Sequence, residues 1–309
     1  MASIAVRRKP IRKKSPISSD QISALLVIAP SLLAIAIFVY VFIFRTAGLS
    51  MLAVNDLFAM GGPKTWLGFP QVAFIGLKNY LDLWSNDRFR ADVVNMFVFT
   101  TLFVGASLSL GLLLAVLMNA KIKLEDLWRN IFFFPLALSL VVTGTVWRWV
   151  FNSSSTSSFG LDWITNPKMA IFTLVIAATW QMSGYVMALY LAGLRSIPIE
   201  LHEAARVDGA TETQIFWRVI FPLLRPVTVS AAVLLIHISL KIFDLVFVMT
   251  GNPGGPGYAT DMPALYMFQA TFKQDLYARG ATIATLLLLL AAVIIVPYLV
   301  ISNRRTVEE

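Results

Sequence analysis

Glu203-Ala204-Ala205-Arg206-Val207-Asp208-Gly209-Ala210, running on to Val219-Ile220-Phe221-Pro222, is the stretch that decides the fold. It is polar and charged, yet it lies between two long apolar runs. Pro198 suits the first turn of a helix, where a missing N–H removes no bond. Glu200 and Glu203 follow in the early turns, where the helix dipole favours acids. Gly209 allows a turn that a side chain would hinder. Thr211 and Gln214 have capping-box spacing and predict the start of a second helix. Pro222 is expected to end it. The local reading is helix, glycine turn, helix, in a form too ordered for a mere connection.

The surrounding sequence is that of a membrane protein. Of 309 residues, 58% are apolar and 14% charged, well below the ~25% charge of soluble domains. Mean hydropathy is +0.74. Crossing a bilayer takes about 20 apolar residues. Runs of that kind are read at roughly 24–44, 93–117, 131–151, 169–194, 226–248 and 281–301. The expected fold is therefore an all-α integral membrane protein of six transmembrane helices. A basic tail (1–23) precedes one membrane domain (24–301), which carries a loop at about 195–225, and a short tail (302–309) follows. The first run is longer than a signal-peptide core and no small-x-small site follows it, so it reads as a retained span.

The net charge of +8 is unevenly spread. Arg7, Arg8, Lys9, Arg12, Lys13 and Lys14 fall in the N-terminal tail, Lys121, Lys123 and Arg129 after the second run, and Arg195, Arg206, Arg218 and Arg225 around the Glu203 loop. Arg304 and Arg305 close the chain. The alternate loops hold fewer cations: Arg45, Lys64, Lys78, Arg88, Arg90, Lys168, Lys273 and Arg279. The positive-inside rule then predicts both termini and the Glu203 loop in the cytoplasm. This distribution speaks for membrane topology, not nucleic acid.

Several chemistries drop out. There is no cysteine, hence no disulfide or thiolate site. His202-Glu203 begins like a zinc-protease motif, but Arg206 stands where the second histidine would be. No metal site is expected. No Gly-x-x-x-x-Gly-Lys-Ser/Thr phosphate loop occurs, so the chain itself is not expected to bind ATP.

The Glu203 stretch resembles the EAA loop of permease subunits of bacterial and archaeal ABC importers. The family pattern is Glu-Ala-Ala, three residues, Gly, nine residues, then Ile-x-Leu-Pro. Glu203, Ala204, Ala205, Gly209 and Pro222 match it, and Val219 and Phe221 replace the two apolar positions. The resemblance implies the MetI-like permease fold. It also implies that Glu203, Ala204, Ala205, Asp208, Gly209 and Pro222 belong to a surface that docks on a cytoplasmic ATPase.

Two further stretches are similar to carbohydrate-type permeases. Gly76-Leu77-Lys78-Asn79-Tyr80 matches a Gly-Leu-x-Asn-Tyr common before their second span, although Met96, not threonine, follows Asn95. The plainer reading is a short interfacial helix with Trp66, Tyr80 and Trp84 as anchors. Phe243-Asp244 through Thr250-Gly251, then Gly254-Gly255-Pro256-Gly257, is similar to the end of their fifth span, with Asn252-Pro253 inserted. Ser153 to Ser158 read as a flexible external connection. Trp180, the stretch Ala188 to Arg195, Asp261-Met262-Pro263-Ala264 and Ile295-Val296-Pro297-Tyr298 lean towards glucose/mannose-type permeases.

Polar groups inside the runs supply the candidates for a substrate path. Trp180, Gln181 and Tyr185 combine a stacking face with hydroxyl-binding groups; Ser183 and Gly184 beside them suit close helix packing equally well. Lys241 and Asp244 are three residues apart, which on a continuous helix places them on one face. They are expected to pair, with Asp244 lining a sugar path as the alternative. Arg148 is expected to snorkel to the interface.

The resemblance implies a membrane-bound, non-catalytic subunit that binds no cofactor, ATP and Mg being used by its partners. Those partners would be a second homologous permease, two copies of a cytoplasmic ATPase and an extracytoplasmic sugar-binding protein, within membrane lipid. An ion-gradient-driven carrier is the main alternative. No internal repeat supports it, and the Glu203 loop would then have no task.

Overall fold

A computed structural model describes residues 19–53, 73–120, 123–151, 163–251 and 254–308. Trp66, the Ser153–Ser158 connection, Asn252-Pro253 and the basic residues up to Lys14 lie outside the described residues. The described residues are helical throughout, apart from turns and one isolated bridge between Leu52 and Phe74. The chain divides into two units, 1–46 and 47–309.

In the first unit, α1 (Ser19–Ile35) contains Pro30 and passes through a π-helical turn, Ala36–Val41, into α2 (Phe42–Leu49). Proline is accommodated here as it commonly is in membrane helices. Side chains from Leu26 to Phe44 are exposed and, apart from the hydroxyls of Ser31 and Tyr40, apolar.

The second unit is built on two long helices, α4 (Asp87–Asn119) and α7 (Ala170–Ser196). Asn86 caps α4 by accepting from Phe89 N–H. Phe89, Met96, Phe99 and Phe103 recur every three to seven residues along its buried face. They continue to Ala115 and Met118, and Phe99, Phe103, Ala115 and Met118 share a core with Leu174, Ala178, Val186, Met187 and Tyr190 of α7. Lipid tails are as apolar as leucine, so close fit, not expulsion from water, holds such helices together. The opposite face of α4 keeps Val94, Phe97, Leu102, Leu113 and Leu117 exposed.

A short helix, α3 (Lys78–Trp84), precedes α4. Its sequence motif has a structural use. Asn79 Nδ2 donates to the carbonyls of Ser50 (2.8 Å) and Leu52 (3.0 Å), and the Tyr80 hydroxyl lies 2.6 Å from Ser50 Oγ. The motif thus ties α3 to the chain that follows Leu49.

Among the described residues four helices are long and apolar enough to cross a membrane: Leu26–Leu49, Asp87–Asn119, Ala170–Ser196 and Tyr277–Ile301. Two bent pairs raise the number to six if each pair is one span. The expected continuous helix at 131–151 is one of these. α5 (Glu125–Phe133) and a 3-10 turn (Phe134–Ala137) meet α6 (Leu140–Phe151) at 98°. The cause is local: Pro135 stands early in the 3-10 turn, and Leu138 is extended (ψ 144°).

The expected fifth span, 226–248, is also interrupted. α11 (Arg225–Leu240) stops at Lys241, and α12 (Asp244–Thr250) begins three residues later. After it Gly254, Gly255 and Gly257 all adopt positive φ in an irregular turn. The structure adds a buried helix, α13 (Pro263–Phe272), packed on α14 (Tyr277–Glu308).

Candidate functional site: the Glu203 hairpin and the broken fifth helix

The Glu203 stretch folds as a helical hairpin. α8 (Ile199–Val207) takes Pro198 as its N-cap, one position earlier than the sequence suggested. At its end Asp208 is the C-cap and Gly209 adopts φ +82°. Gly209 N–H donates to Arg206 C=O and Ala210 N–H to Ala205 C=O, both at 3.1 Å. These are the two bonds of a Schellman ending, which needs a left-handed residue at Gly209. Two residues later the predicted capping box is present. Thr211 Oγ1 accepts from Gln214 N–H, and Gln214 Oε1 accepts from Thr211 N–H at 2.8 Å.

Glu212, the first residue of α9 (Glu212–Ile215), closes the hairpin. Its carboxylate accepts from Arg206 Nε at 2.9 Å and lies 3.1 Å from His202 Nε2. Charge spacing in the sequence pointed to neither contact, because the partners sit on different helices. Pro222 does not end the second helix. A π-helical turn (Phe216–Ile220) passes into α10 (Phe221–Leu223), and the break falls at Leu224, with a bend of 61° into α11. Pro222 stands in the first turn of α10, where no N–H is needed.

Glu203, Ala204, Asp208 and Gly209 are exposed, and Ala205 and Pro222 half-buried. Glu203 has no hydrogen bond or ion pair among the described residues. Ile199 and Val207 beside it are 65% and 88% exposed. The hairpin therefore holds its own shape and leaves an acidic, partly apolar face uncovered. Replacing Thr211 with alanine removes one side of the capping box and should destabilise the hairpin by about 1 kcal/mol. Faster backbone exchange over 211–215, with the rest of the protein unchanged, is the expected measurement.

The substrate-path candidates do not form one cluster. Trp180 packs edge-on against Trp147 of α6, centroids 5.8 Å apart. Gln181 is buried, and its Nε2 donates to Leu138 C=O at 2.8 Å, at the bend between α5 and α6. Tyr185 is half-buried against the core. Each of these three side chains thus touches a neighbouring helix or the core. Gly184 explains how α7 comes so near the bend: a Cβ there would lie 2.0 Å from Phe132 C=O.

The expected ion pair between Lys241 and Asp244 is absent. Their spacing of three requires one continuous helix, and the helix is broken between them. Lys241 is instead the C-cap of α11 and Asp244 the first residue of α12. Each charge thus sits at the helix end whose dipole suits it. Both side chains are exposed. Arg148, expected only to snorkel, donates to Val248 C=O at 3.2 Å and ties α6 to α12. Among the described residues no group of His, Cys, Asp and Glu is placed to hold a metal.

Residues 107–305 match the family described as binding-protein-dependent transport system inner membrane component. The chain is 40% identical over 294 residues to a probable ABC transporter permease of Pyrococcus horikoshii, covering 91% of this chain and 96% of that one. It is 39% identical over 242 residues to the xylose/arabinose import permease XacH of Haloferax volcanii, covering 75% and 76%. A crystal structure of a bacterial ABC transporter involved in import of the acidic polysaccharide alginate shares the fold. Its TM-score is 0.73 at 20% identity, over 92% of this chain and 96% of that chain. The chain belongs to the binding-protein-dependent inner-membrane permease family of ABC transporters. It is a multi-pass protein of the inner membrane.

Proposed function

We propose that this chain is a transmembrane subunit of an importer that carries a sugar into the cell, with ATP hydrolysed by partner subunits. The observation that carries the coupling role is the Glu203 hairpin: rigid by its own bonds, exposed, and with Glu203 unpaired. Such an element transmits motion because it cannot absorb it. ATP binding closes two ATPase subunits beneath a pair of permeases, and the hairpin, seated on one of them, turns that closure into an outward-facing path. Hydrolysis reverses it. Glu203 offers charge to a basic group of the ATPase, and Ala204 and Ala205 keep the contact face small. ATP and Mg belong to the ATPase partners, and this chain uses no cofactor.

The sugar reading rests on the motifs around Asn79 and Asp244 and on the likeness to a xylose/arabinose permease. The cargo is a monosaccharide of the glucose/mannose or pentose type, or a small oligosaccharide, delivered by an extracytoplasmic binding protein. Within the chain, the broken fifth helix is the best place for sugar contact. A break leaves backbone groups and helix ends free to meet a polar solute, as at the discontinuous helices of other transporters. Exposed Lys241 and Asp244 flank that break.

Purification from the host membrane tests the assembly. Recovery of a Walker-motif ATPase and a second permease, with ATPase activity raised by sugar-loaded binding protein, is the expected result. Sugar flux in liposomes from this chain alone, without ATP, would establish an ion-gradient carrier instead. Asp244→Asn should raise the KM for sugar by roughly 10- to 100-fold, the worth of about 1.5–3 kcal/mol for a hydrogen bond to a charged group. It should leave assembly intact, since Asp244 has no ion pair to lose among the described residues. An unchanged KM would remove Asp244 from the path.

A further inference from the structure

Outside both candidate sites the structure buries an unusual set of charges where α4, the turn before α13 and α13 itself meet. Arg88, in the first turn of α4, donates from Nε to Asp261 Oδ2 at 2.8 Å and from Nη2 to Gln269 Oε1. The rings of Tyr258 and Tyr266 lie 4.5 and 4.4 Å from its guanidinium carbon. Asp261 accepts the Met262 N–H on its other oxygen at 3.0 Å. Asn95, two turns along α4, donates to the carbonyls of Tyr258 and Asp261. One arginine thus clamps the turn and α13 onto α4.

Asp92 lies four residues after Arg88, one turn along the same helix face. It is fully buried in the apolar stripe of α4, and neither carboxylate oxygen has a hydrogen-bond partner. Gln269 Nε2 is also buried without one. The charged groups acting on Asp92 are Arg88 of its own helix and Asp261 of the turn. From the other elements, Tyr258 and Tyr266 face Arg88, and Arg279 of α14 donates to the Tyr266 hydroxyl at 3.3 Å. Burial pushes the Asp261 carboxyl up, while Arg88 and the Met262 N–H draw it back.

The charge balance is decisive. Asp261 and Arg88 neutralise each other. An ionised Asp92 would add a second buried anion without any donor, which proteins do not sustain. We propose that Asp92 is a proton-binding site that latches the 254–272 segment: with its proton on, Arg88 stays on Asp261 and Gln269 and the segment is held to α4. When the proton leaves, the new carboxylate, one turn from Arg88, competes for the guanidinium. The clamp on Asp261 then loosens and the segment comes away. A proton fits better than a metal ion, because no third acidic or histidine ligand is available among the described residues.

The chain has no cysteine, so single ones report cleanly. Ala264→Cys places a thiol on the buried face of α13, and Ser85→Cys gives an exposed control with the same thiol chemistry. In the purified assembled transporter, the maleimide labelling rate at 264 is divided by that at 85 between pH 6 and 9. The ratio should rise by about tenfold per pH unit across the transition, as expected for one proton. Asp92→Asn keeps the shape but cannot ionise, and should hold the ratio low throughout. Arg88→Gln removes the clamp and should hold it high throughout. A flat ratio in the unsubstituted background, or a pH response that survives Asp92→Asn, overturns the proposal. A response to sodium at fixed pH also overturns it, by showing a metal cation in the proton's place.

Discussion

Gly209→Val should leave the protein in the membrane at its normal level and abolish ATP-driven uptake. The reason is conformational. Gly209 stands at φ +82°, and a Cβ there would meet nothing within 4 Å. Space is available; backbone freedom is not. A left-handed conformation costs an ordinary residue about 1–2 kcal/mol, and more when the side chain is β-branched. Valine therefore gives up the Schellman bonds to Arg206 and Ala205. The two helices then lose the angle that the Thr211 box and the Glu212 contacts otherwise hold. Nothing in the membrane core depends on this turn, so the protein should still insert. Gly209→Asn tolerates the same conformation and should keep most of the activity. Glu203→Lys should give the same loss by a different route. Glu203 makes no hydrogen bond or ion pair among the described residues, so reversing its charge acts at a partner. Uptake assayed beside membrane abundance separates these outcomes, and unimpaired uptake by Gly209→Val and Glu203→Lys would sink the coupling role.

Gly184→Ala should have the larger effect on the fold itself. A methyl group at that position would lie 2.0 Å from Phe132 C=O and 2.8 Å from its carbon. Backbone cannot swing aside as a side chain does, so α7 and α5 must separate. Overpacking of this kind typically costs about 1–3 kcal/mol. Here it also pulls Gln181 away from Leu138 C=O, leaving the buried Gln181 amide N–H without its partner, at about 1–3 kcal/mol more. The expected result is a marked drop in membrane abundance and in the thermal midpoint of purified material. Gly105→Ala, in α4, meets nothing within 4 Å and raises helix propensity. It should be neutral or mildly stabilising. Equal stability of the two variants would show that the crossing at Gly184 is looser than described.

Much of the architecture was legible because it is local. Hydropathy marks the long helices, since a segment in lipid must satisfy its own backbone. The hairpin was legible down to its cap, because capping boxes and glycine turns are bonds between residues three to five apart. The charged contacts were not. Glu212 meets His202 and Arg206 across the turn, and Arg88 meets Asp261 from 173 positions away. Lys241 and Asp244 misled for the opposite reason: their spacing is informative only on an unbroken helix. Asp92 did leave a trace in the sequence, as the lone acid among Phe89, Met96 and Phe99.

The amino-acid sequence by itself determined that this chain is a helical membrane protein, that it carries an ordered hairpin between apolar runs, and which family it resembles. Those properties follow from hydropathy and from interactions within a few residues. Only the tertiary structure decided that the third and fifth runs are broken, that α13 exists, and that Gln181 holds a bend. It also decided that Arg88 and Asp261 neutralise each other while Asp92 stands unpartnered. These depend on which distant groups share a buried space, where an unpaired charge or a misplaced methyl is expensive. Sequence spacing carries no record of that neighbourhood.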